Sequence, residues 1–203
     1  MDRDLFLNGM EVLAKILGNS ARVKIMRLFL LNRGKGFTGK DVAKRSRVSK
    51  DIVRRELRLL ASVSFIKKRA KDWSFNSLFK YRGEFEDLLL SSDTLSKEAI
   101  LNNFKKVGRV KLIIISGVFI KNHDSRVDLL IVGDHLKKRK IEKGIRKIEA
   151  EIGIELVYAV FDTKEFLYRL DMYDKLVRDI LDYPHEVVLQ TKEFSPTLIA
   201  KKL

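Results

Sequence analysis

The chain of 203 residues contains no cysteine. This absence excludes disulfides and thiolate metal sites, and it is compatible with a reducing compartment. Long apolar runs are also missing, since the longest, Leu112–Ile115 with Val118–Ile120 after a break, is far shorter than a bilayer span. The first ten residues, MDRDLFLNGM, lack the basic start and apolar core of a signal peptide. We therefore expect a cytoplasmic protein that makes no membrane contact.

Familiar catalytic patterns are equally scarce. The sequence shows no Ser/His/Asp set, no nucleotide-binding glycine loop and no metal-ligand spacing among its three histidines. What it has in excess is positive charge, with 42 Lys and Arg against 27 Asp and Glu. Residues 1–83 carry 21 basic and 7 acidic residues, whereas residues 84–203 carry 21 and 20. This asymmetry favours a polyanion as the partner of the first part of the chain, and nucleic acid over membrane.

Residues 38–60, TGKDVAKRSRVSKDIVRRELRLL, have the pattern of two short helices joined by a tight turn. Thr38, with Asp41 three residues later, predicts a capped start for the first helix. Ser49 is a typical cap for the second. Ser20–Leu31 is expected to form a helix that precedes this pair. The segment therefore has the outline of a helix-turn-helix.

The second helix of the pair has one apolar face and one cationic face. Val53, Leu57 and Leu60 fall at i, i+4 and i+7, so they point to the same side. The cations off that side, which are candidate DNA contacts, are Lys50, Arg54, Arg55 and Arg58. For a helix taken alone, the alternative is an ordinary solvated face, and the concentrated charge around it favours the DNA contact.

Two runs rich in apolar and basic residues follow this helix and predict a β-hairpin around residues 71–72. The candidate phosphate contacts on the hairpin are Lys67, Lys68, Arg69 and Lys71. Because side chains alternate along a strand, only some of these four are expected to reach one surface.

The order of helix, short strand at Phe37, two helices around a turn, and hairpin resembles the winged helix-turn-helix of arsenic-repressor-type transcriptional regulators. The resemblance covers residues 20 to about 82. It implies that the second helix enters the major groove of double-stranded DNA, that the hairpin is a wing, and that the protein is a homodimer. Arg47 and Ser64 stand where such proteins often have glycine, so both are expected in the left-handed conformation.

The rest of the chain predicts strands that alternate with helices, and therefore an α/β domain. The expected strands are Val110–Ile115, residues 126–134, Ile154–Phe161 and Val187–Leu189. Lys137–Ile152 is expected to be a helix with isoleucines on one face. Ser91–Thr94 is the expected linker, because the charge balance changes there. The fold class is thus a two-domain α+β and α/β protein, with domains at residues 1–92 and 93–203.

Residues 108–170 resemble the minimal nucleotidyltransferase fold. That family has a Gly-Ser turn after its first strand, an Asp-x-Asp pair on the second and a third acid on a later strand, which hold Mg²⁺ and nucleotide phosphates. Gly117, Asp128 and Glu155 stand at three of these positions. Arg126 replaces the first acid of the pair and repels the metal, and Val118 replaces the serine. We therefore expect a degenerate nucleotide site with a mixed sheet and flanking helices around it.

Several of these residues also have ordinary structural explanations. Asp128 pairs with Arg126 or caps a structural contact in the alternative interpretation, and Glu155 faces solvent on an edge strand. Residues 137–140, KKRK, are either a solvated helix start or an extension of the DNA contact. Trp73 is expected to pack the hairpin rather than to stack on a base.

These observations together predict a sequence-specific DNA-binding transcriptional regulator with no catalytic residue, no resident metal and no cofactor. Its second domain is expected to serve dimerisation, ligand sensing or partner binding. The alternative is a metal-dependent nucleotidyltransferase acting on protein or RNA, in which Asp128 and Glu155 hold Mg²⁺ and a nucleotide.

Overall fold

The computed structural model describes residues 9–90, 95–122 and 124–194. The predicted linker Ser91–Thr94, and residues 1–8 on which the signal-peptide prediction rests, lie outside the described residues. Within the described ranges the chain forms nine α-helices and six strands in two sheets, so the predicted mixture of helices and strands is confirmed. Within these ranges none of the helices combines the length and the apolar sequence that a membrane span requires.

The chain divides into two compact units. The first takes in the described residues up to Ser96 together with Arg146–Ile154, and the second takes in Lys97–Ile145 and the described residues from Glu155 onward. The placement of the boundary at residue 92 stays a prediction, because it falls on the linker.

The first unit is mainly helical. Its elements are α1 (Gly9–Ile16), α2 (Ser20–Leu31), α3 (Gly39–Ser46), α4 (Lys50–Ser62), β1 (Ile66–Arg69), β2 (Asp72–Phe75) and α5 (Arg82–Leu90). α2 has the predicted bounds, and its cap is Asn19, whose side chain accepts a hydrogen bond from the Arg22 backbone N–H at 2.7 Å. β1 and β2 form the predicted antiparallel hairpin. Phe37 joins its edge through two backbone hydrogen bonds of 2.8 Å with Trp73.

The core of the first unit explains why the hairpin stays next to the helices. Phe65, at the start of the hairpin, is 1% exposed and packs edge-on against Phe75, Phe79 and Phe85, with ring centroids 5.2–6.0 Å apart. Such edge-to-face pairs add about 0.5–1.5 kcal/mol each beyond simple burial. The aromatic cluster therefore anchors the base of the hairpin.

The second unit is built on a mixed sheet with strand order β5-β4-β3-β6. Its elements are α6 (Lys97–Phe104), β3 (Arg109–Ile115), β4 (Leu129–Asp134), α7 (Lys138–Ile152, of which the last part belongs to the first unit), β5 (Tyr158–Phe161), α8 (Thr163–Asp171), α9 (Lys175–Asp182) and β6 (Glu186–Gln190). β3 is antiparallel to β4 and β6, and β4 is parallel to β5. The predicted strands and helices thus occur in the predicted order.

Two predicted strands of the second unit begin later than expected. β4 starts at Leu129, so Asp128 immediately precedes the strand, and β5 starts at Tyr158, so Glu155 lies outside it. At the junction the Val157 N–H donates to the Asp128 carboxylate at 2.8 Å and the Val157 carbonyl accepts from the Asp128 N–H at 2.7 Å, and regular pairing with β4 begins only at Tyr158. The prediction of a strand over residues 154–157 is therefore wrong.

Candidate functional site

The first helix of the pair, α3, is held at its start by the predicted capping box. Thr38 Oγ1 accepts a hydrogen bond from the Asp41 backbone N–H at 3.2 Å, and Asp41 Oδ2 accepts one from the Thr38 backbone N–H at 3.0 Å. The Thr38 hydroxyl also donates to the Asp41 carboxylate and lowers its pKa. α3 ends at Arg47 with φ of 55°, the left-handed conformation expected there. The chain therefore turns sharply into α4.

α4 carries half of the predicted DNA-contacting cations. Val53, Leu57 and Leu60 are 2–4% exposed and lie in the core, as predicted. After the helix Ser64 takes a left-handed φ of 58°, also as expected, and the Phe65 N–H bonds the Leu60 carbonyl at 2.9 Å. This is the hydrogen bond of a Schellman motif, which satisfies the helix end. The buried face and the fixed end together determine which side of α4 faces outward.

A buried ion pair fastens α4 to α2. Glu56 is 6% exposed and accepts hydrogen bonds from Arg22 Nε at 2.8 Å and from Asn19 Nδ2 at 3.0 Å. Burial raises the pKa of Glu56, but the hydrogen bonds from Arg22 and Asn19 outweigh it, so the pKa lies below its ordinary value. Sequence reasoning missed this pair, because Arg22 and Glu56 are 34 residues apart. The pair holds the cationic face of α4 in one position.

α3, α4 and the hairpin surround an open groove of about 680 Å³. Its lining residues are Thr38, Gly39 and Lys40 at the start of α3, Lys50, Val53, Arg54, Leu57 and Arg58 on α4, and Lys68, Lys71 and Trp73 on the hairpin. Six of these eleven residues are Lys or Arg, and none is an acid. The three elements thus direct their cations into one surface.

The charge of this groove is largely uncompensated. Arg54 lies 3.9 Å from Asp51, but the two side chains are 67% and 89% exposed, so this pair contributes little. The other five groove cations form no ion pair within the described part of the chain. Grouping like charges around a concave surface raises the local positive potential and attracts anions. The groove therefore suits an extended polyanion.

The structure sorts the eight cations predicted as DNA contacts into two sets. Five line the groove and the remaining three, Arg55, Lys67 and Arg69, are exposed outside its lining. On the hairpin Lys68 lies with its Nζ 5.5 Å from the ring centroid of Trp73, and Lys71 occupies the turn. The prediction that only some hairpin cations share one surface agrees with this arrangement.

Sequence reasoning missed the contribution of α3 to the groove. Lys40 is exposed in the first turn of that helix, two residues after the Thr38 cap. The signal was present in the sequence, because Lys40 comes two residues before the apolar Val42 and so falls on the opposite side of the helix. Trp73 packs against the hairpin as predicted, yet its ring also forms part of the groove wall.

The residues predicted to form a degenerate nucleotide site lie in the second unit, around the start of β4. Asp128 is 8% exposed, and both of its carboxylate oxygens are used: Oδ1 accepts from the Val118 N–H at 3.0 Å and Oδ2 from the Val157 N–H at 2.8 Å. Gly117 has φ of 56°, and a Cβ at that position would collide with Asp128 Oδ1. The glycine and the acid are thus brought together, in a contact that supports the loop itself.

The other two residues of that predicted site lie apart from Asp128's contacts. Arg126 pairs with Asp179 of α9 at 2.7 Å, so its predicted pairing with Asp128 is not the one found. Glu155 is exposed in the segment before β5. No group of three or more His, Asp or Glu side chains suited to a metal ion occurs among the residues that the structure describes.

The chain was compared with three sets of known proteins. The searches covered models of protein families, curated proteins and solved structures. None of the three finds a match to this chain.

Proposed function

We propose that this protein is a double-stranded-DNA-binding transcriptional regulator whose first unit is a winged helix-turn-helix of the arsenic-repressor type. In this proposal α4 is the recognition helix and the β1–β2 hairpin is the wing. The observation that carries the proposal is the groove, in which six exposed Lys and Arg side chains from three elements line one open surface without an acid among them.

The chemistry of duplex DNA accounts for the types of cation in the groove. The B-DNA major groove, about 12 Å wide, admits an α-helix, and an Arg side chain there bonds bidentately to guanine N7 and O6. Arg54 and Arg58 are the groove residues suited to that contact. Lys50, Lys68 and Lys71 carry compact charges suited to phosphates, which position the protein without reading sequence.

The second unit has the nucleotidyltransferase-like fold in this proposal, without the chemistry, and serves dimerisation, ligand sensing or partner binding. This assignment is supported by the structural use of Asp128, since each of its two carboxylate oxygens accepts a hydrogen bond from a backbone N–H group. The alternative of a metal-dependent nucleotidyltransferase needs Asp128 as a metal ligand, and no observation favours that use.

A homodimer is part of the proposal, because regulators of this type commonly read two half-sites about one helical turn, ~34 Å, apart. The expected target is a palindromic site, with one α4 in each half. Analytical ultracentrifugation of the free chain and of its complex with a selected duplex measures the stoichiometry, and a single chain per duplex would contradict this part.

The proposal is tested by selecting duplexes from a random library with the full chain and measuring affinity for the best one. Arg54→Ala/Arg58→Ala is expected to weaken binding about 100-fold, since each bidentate guanine contact is worth about 1–3 kcal/mol. Arg55→Ala/Arg69→Ala removes the same charge outside the groove and is the matched control, with an expected loss below about threefold.

Salt dependence supplies the second readout. With about six phosphate contacts, log K is expected to fall with log salt at a slope near −5. Equal losses from the two double variants, or an affinity that barely changes with salt, would contradict the proposal. Equal losses of Arg54→Ala/Arg58→Ala on selected and scrambled duplexes would place those arginines on phosphates instead of bases.

A further inference from the structure

The second unit carries a separate group of cations at the end of α6 and the start of α7. We define this group as the α6–α7 patch, consisting of Lys105, Lys106, Arg109, Lys137, Lys138, Arg139 and Lys140. All seven side chains are exposed. The rest of the second unit's sequence contains 12 Lys and Arg and 14 Asp and Glu, so the patch concentrates positive charge that the remainder of the unit lacks.

Backbone contacts bring the two segments of the patch together. The Lys137 N–H donates to the Val107 carbonyl at 2.6 Å, and Arg109 is the strand partner of Asp134. Gly108 lies so close to the His135 carbonyl that a Cβ there would stand 2.6 Å from that oxygen. The two segments are therefore adjacent in the fold, and their exposed cations are close to one another, although about 30 residues of sequence separate them.

The patch consists entirely of cations without acidic partners among the described residues, whereas several other cations of the same unit are paired. Lys97 pairs with Glu186 at 3.0 Å, Arg126 pairs with Asp179 at 2.7 Å, and Arg169 pairs with Glu165 and Asp174. None of the seven patch residues forms an ion pair in the ranges that the structure describes. Four of them also surround the start of α7, where the first turn contains no acid and the helix dipole is already positive. The cations of the patch therefore repel one another in the free protein, and a bound polyanion would reduce that repulsion.

We propose that the α6–α7 patch binds the phosphate backbone of duplex nucleic acid, as a contact surface distinct from the groove of the first unit. The two segments contain no aromatic residue, so the stacking used by single-strand binders is absent from them. They also contain no exposed large apolar side chain of the kind that inserts into a membrane interface. Cations without neighbouring aromatic or apolar side chains are suited to neutralising the regularly spaced phosphates of a duplex.

The test compares two triple variants of the full chain. Lys106→Ala/Lys137→Ala/Lys138→Ala removes three patch cations, and Lys164→Ala/Lys175→Ala/Lys192→Ala removes three exposed cations elsewhere in the second unit. Each lost phosphate contact lowers the salt slope by about 0.9, so the patch variant is expected to lose about 2–3 from the slope. The patch variant is also expected to lower the affinity for selected and scrambled duplexes by the same factor, about tenfold. The control variant removes the same net charge, so any smaller loss of affinity or slope that it shows measures the non-local effect of charge alone.

Thermal melting of the patch variant shows whether a loss of DNA binding comes from unfolding. The patch variant is expected to melt at the same or a higher temperature, because it removes repulsion at the start of α7. Indistinguishable DNA binding by the two triple variants would overturn the inference, as would a loss confined to binding of phosphatidylserine vesicles. The inference and the proposed function both have duplex nucleic acid as the partner, but they rest on different residues. Each can therefore be refuted without the other. Loss from Arg54→Ala/Arg58→Ala with no effect of the patch variant refutes the patch alone, and the reverse result refutes the groove alone.

Discussion

The groove of the first unit and the loop before β4 in the second unit both gather charged side chains, but they use them in opposite ways. In the groove, six cations are exposed and five of them have no acidic partner among the described residues. At the loop, Asp128 is buried and both of its oxygens accept backbone hydrogen bonds. A charged group that the fold leaves unsatisfied is available to a ligand, whereas one that the fold has satisfied supports the protein itself.

The same contrast exists inside the second unit. Lys111 is 8% exposed and contacts both Asp134 and Glu193, while the cations of the α6–α7 patch have no such partners. Counting charges by residue type would treat these lysines alike. Their partners decide which of them are candidates for a polyanion.

The largest expected effect comes from removing Asp128, the buried acid of the loop before β4. Asp128→Ala is expected to destabilise the second unit by about 3 kcal/mol, because it leaves two backbone N–H groups without acceptors, at about 1–3 kcal/mol each. Hydrogen exchange of the β3 and β4 amides measures the loss. Asp124→Ala, an exposed acid in the same loop, is the control and is expected to stay within about 0.5 kcal/mol. An Asp128→Ala protein as stable as the unchanged chain would contradict the structural role of Asp128.

A second, smaller loss of stability is expected at the cap of α3, Thr38, and not at the cap of α4, Ser49. Thr38→Ala is expected to cost about 1 kcal/mol, because the Thr38 hydroxyl bonds the start of α3. Ser49 is also a cap, but its side chain makes no capping hydrogen bond, so Ser49→Ala is expected to cost less than about 0.5 kcal/mol. Denaturation of the full chain followed by fluorescence of Trp73, the one tryptophan, reports on the first unit. Equal costs would show that the capping box does not hold α3.

A further effect, which depends on pH, concerns Asp134, the acid that pairs with Lys111 in the second unit. Nearby Thr163, together with Lys111, whose Nζ lies 2.9 Å from Asp134 Oδ2, lowers the pKa of Asp134 from 3.8 to about 2. The folded state therefore binds this proton less readily than the unfolded state, so the stabilisation is present above about pH 4 and is lost as the pH falls toward 2. Asp134→Asn is expected to remove that part of the acid dependence. An NMR titration midpoint near 3.8 for Asp134 would contradict the pairing.

Local signals made much of the first unit predictable. A capping pair three residues apart placed the start of α3, and the family resemblance placed left-handed conformations at Arg47 and Ser64; both are confirmed. The spacing of Val53, Leu57 and Leu60 placed the buried face of α4. Each of these predictions depends on interactions within about one helical turn or on one backbone angle, so a short window of sequence is enough.

Long-range contacts defeated prediction in the second unit. The strand expected over residues 154–157 is absent, and at its end the Val157 N–H donates to the side chain of Asp128, nearly thirty residues earlier. Arg126 finds Asp179 on a helix that the sequence places more than fifty residues away. Apolar residues such as Ile154 and Leu156 give the same strand pattern whether or not such a partner exists, so periodicity alone could not detect the difference.

Composition and local periodicity were enough to predict most element types, the excess of positive charge in residues 1–83 and the outward direction of the α4 cations. Which cations share a surface depends on packing: Lys40, Lys68 and Lys71 join α4 in the groove while Arg55, Lys67 and Arg69 do not. Packing also sets which charges the protein satisfies internally. Both outcomes depend on distances between side chains that are remote in sequence, and those distances exist only after the chain has packed.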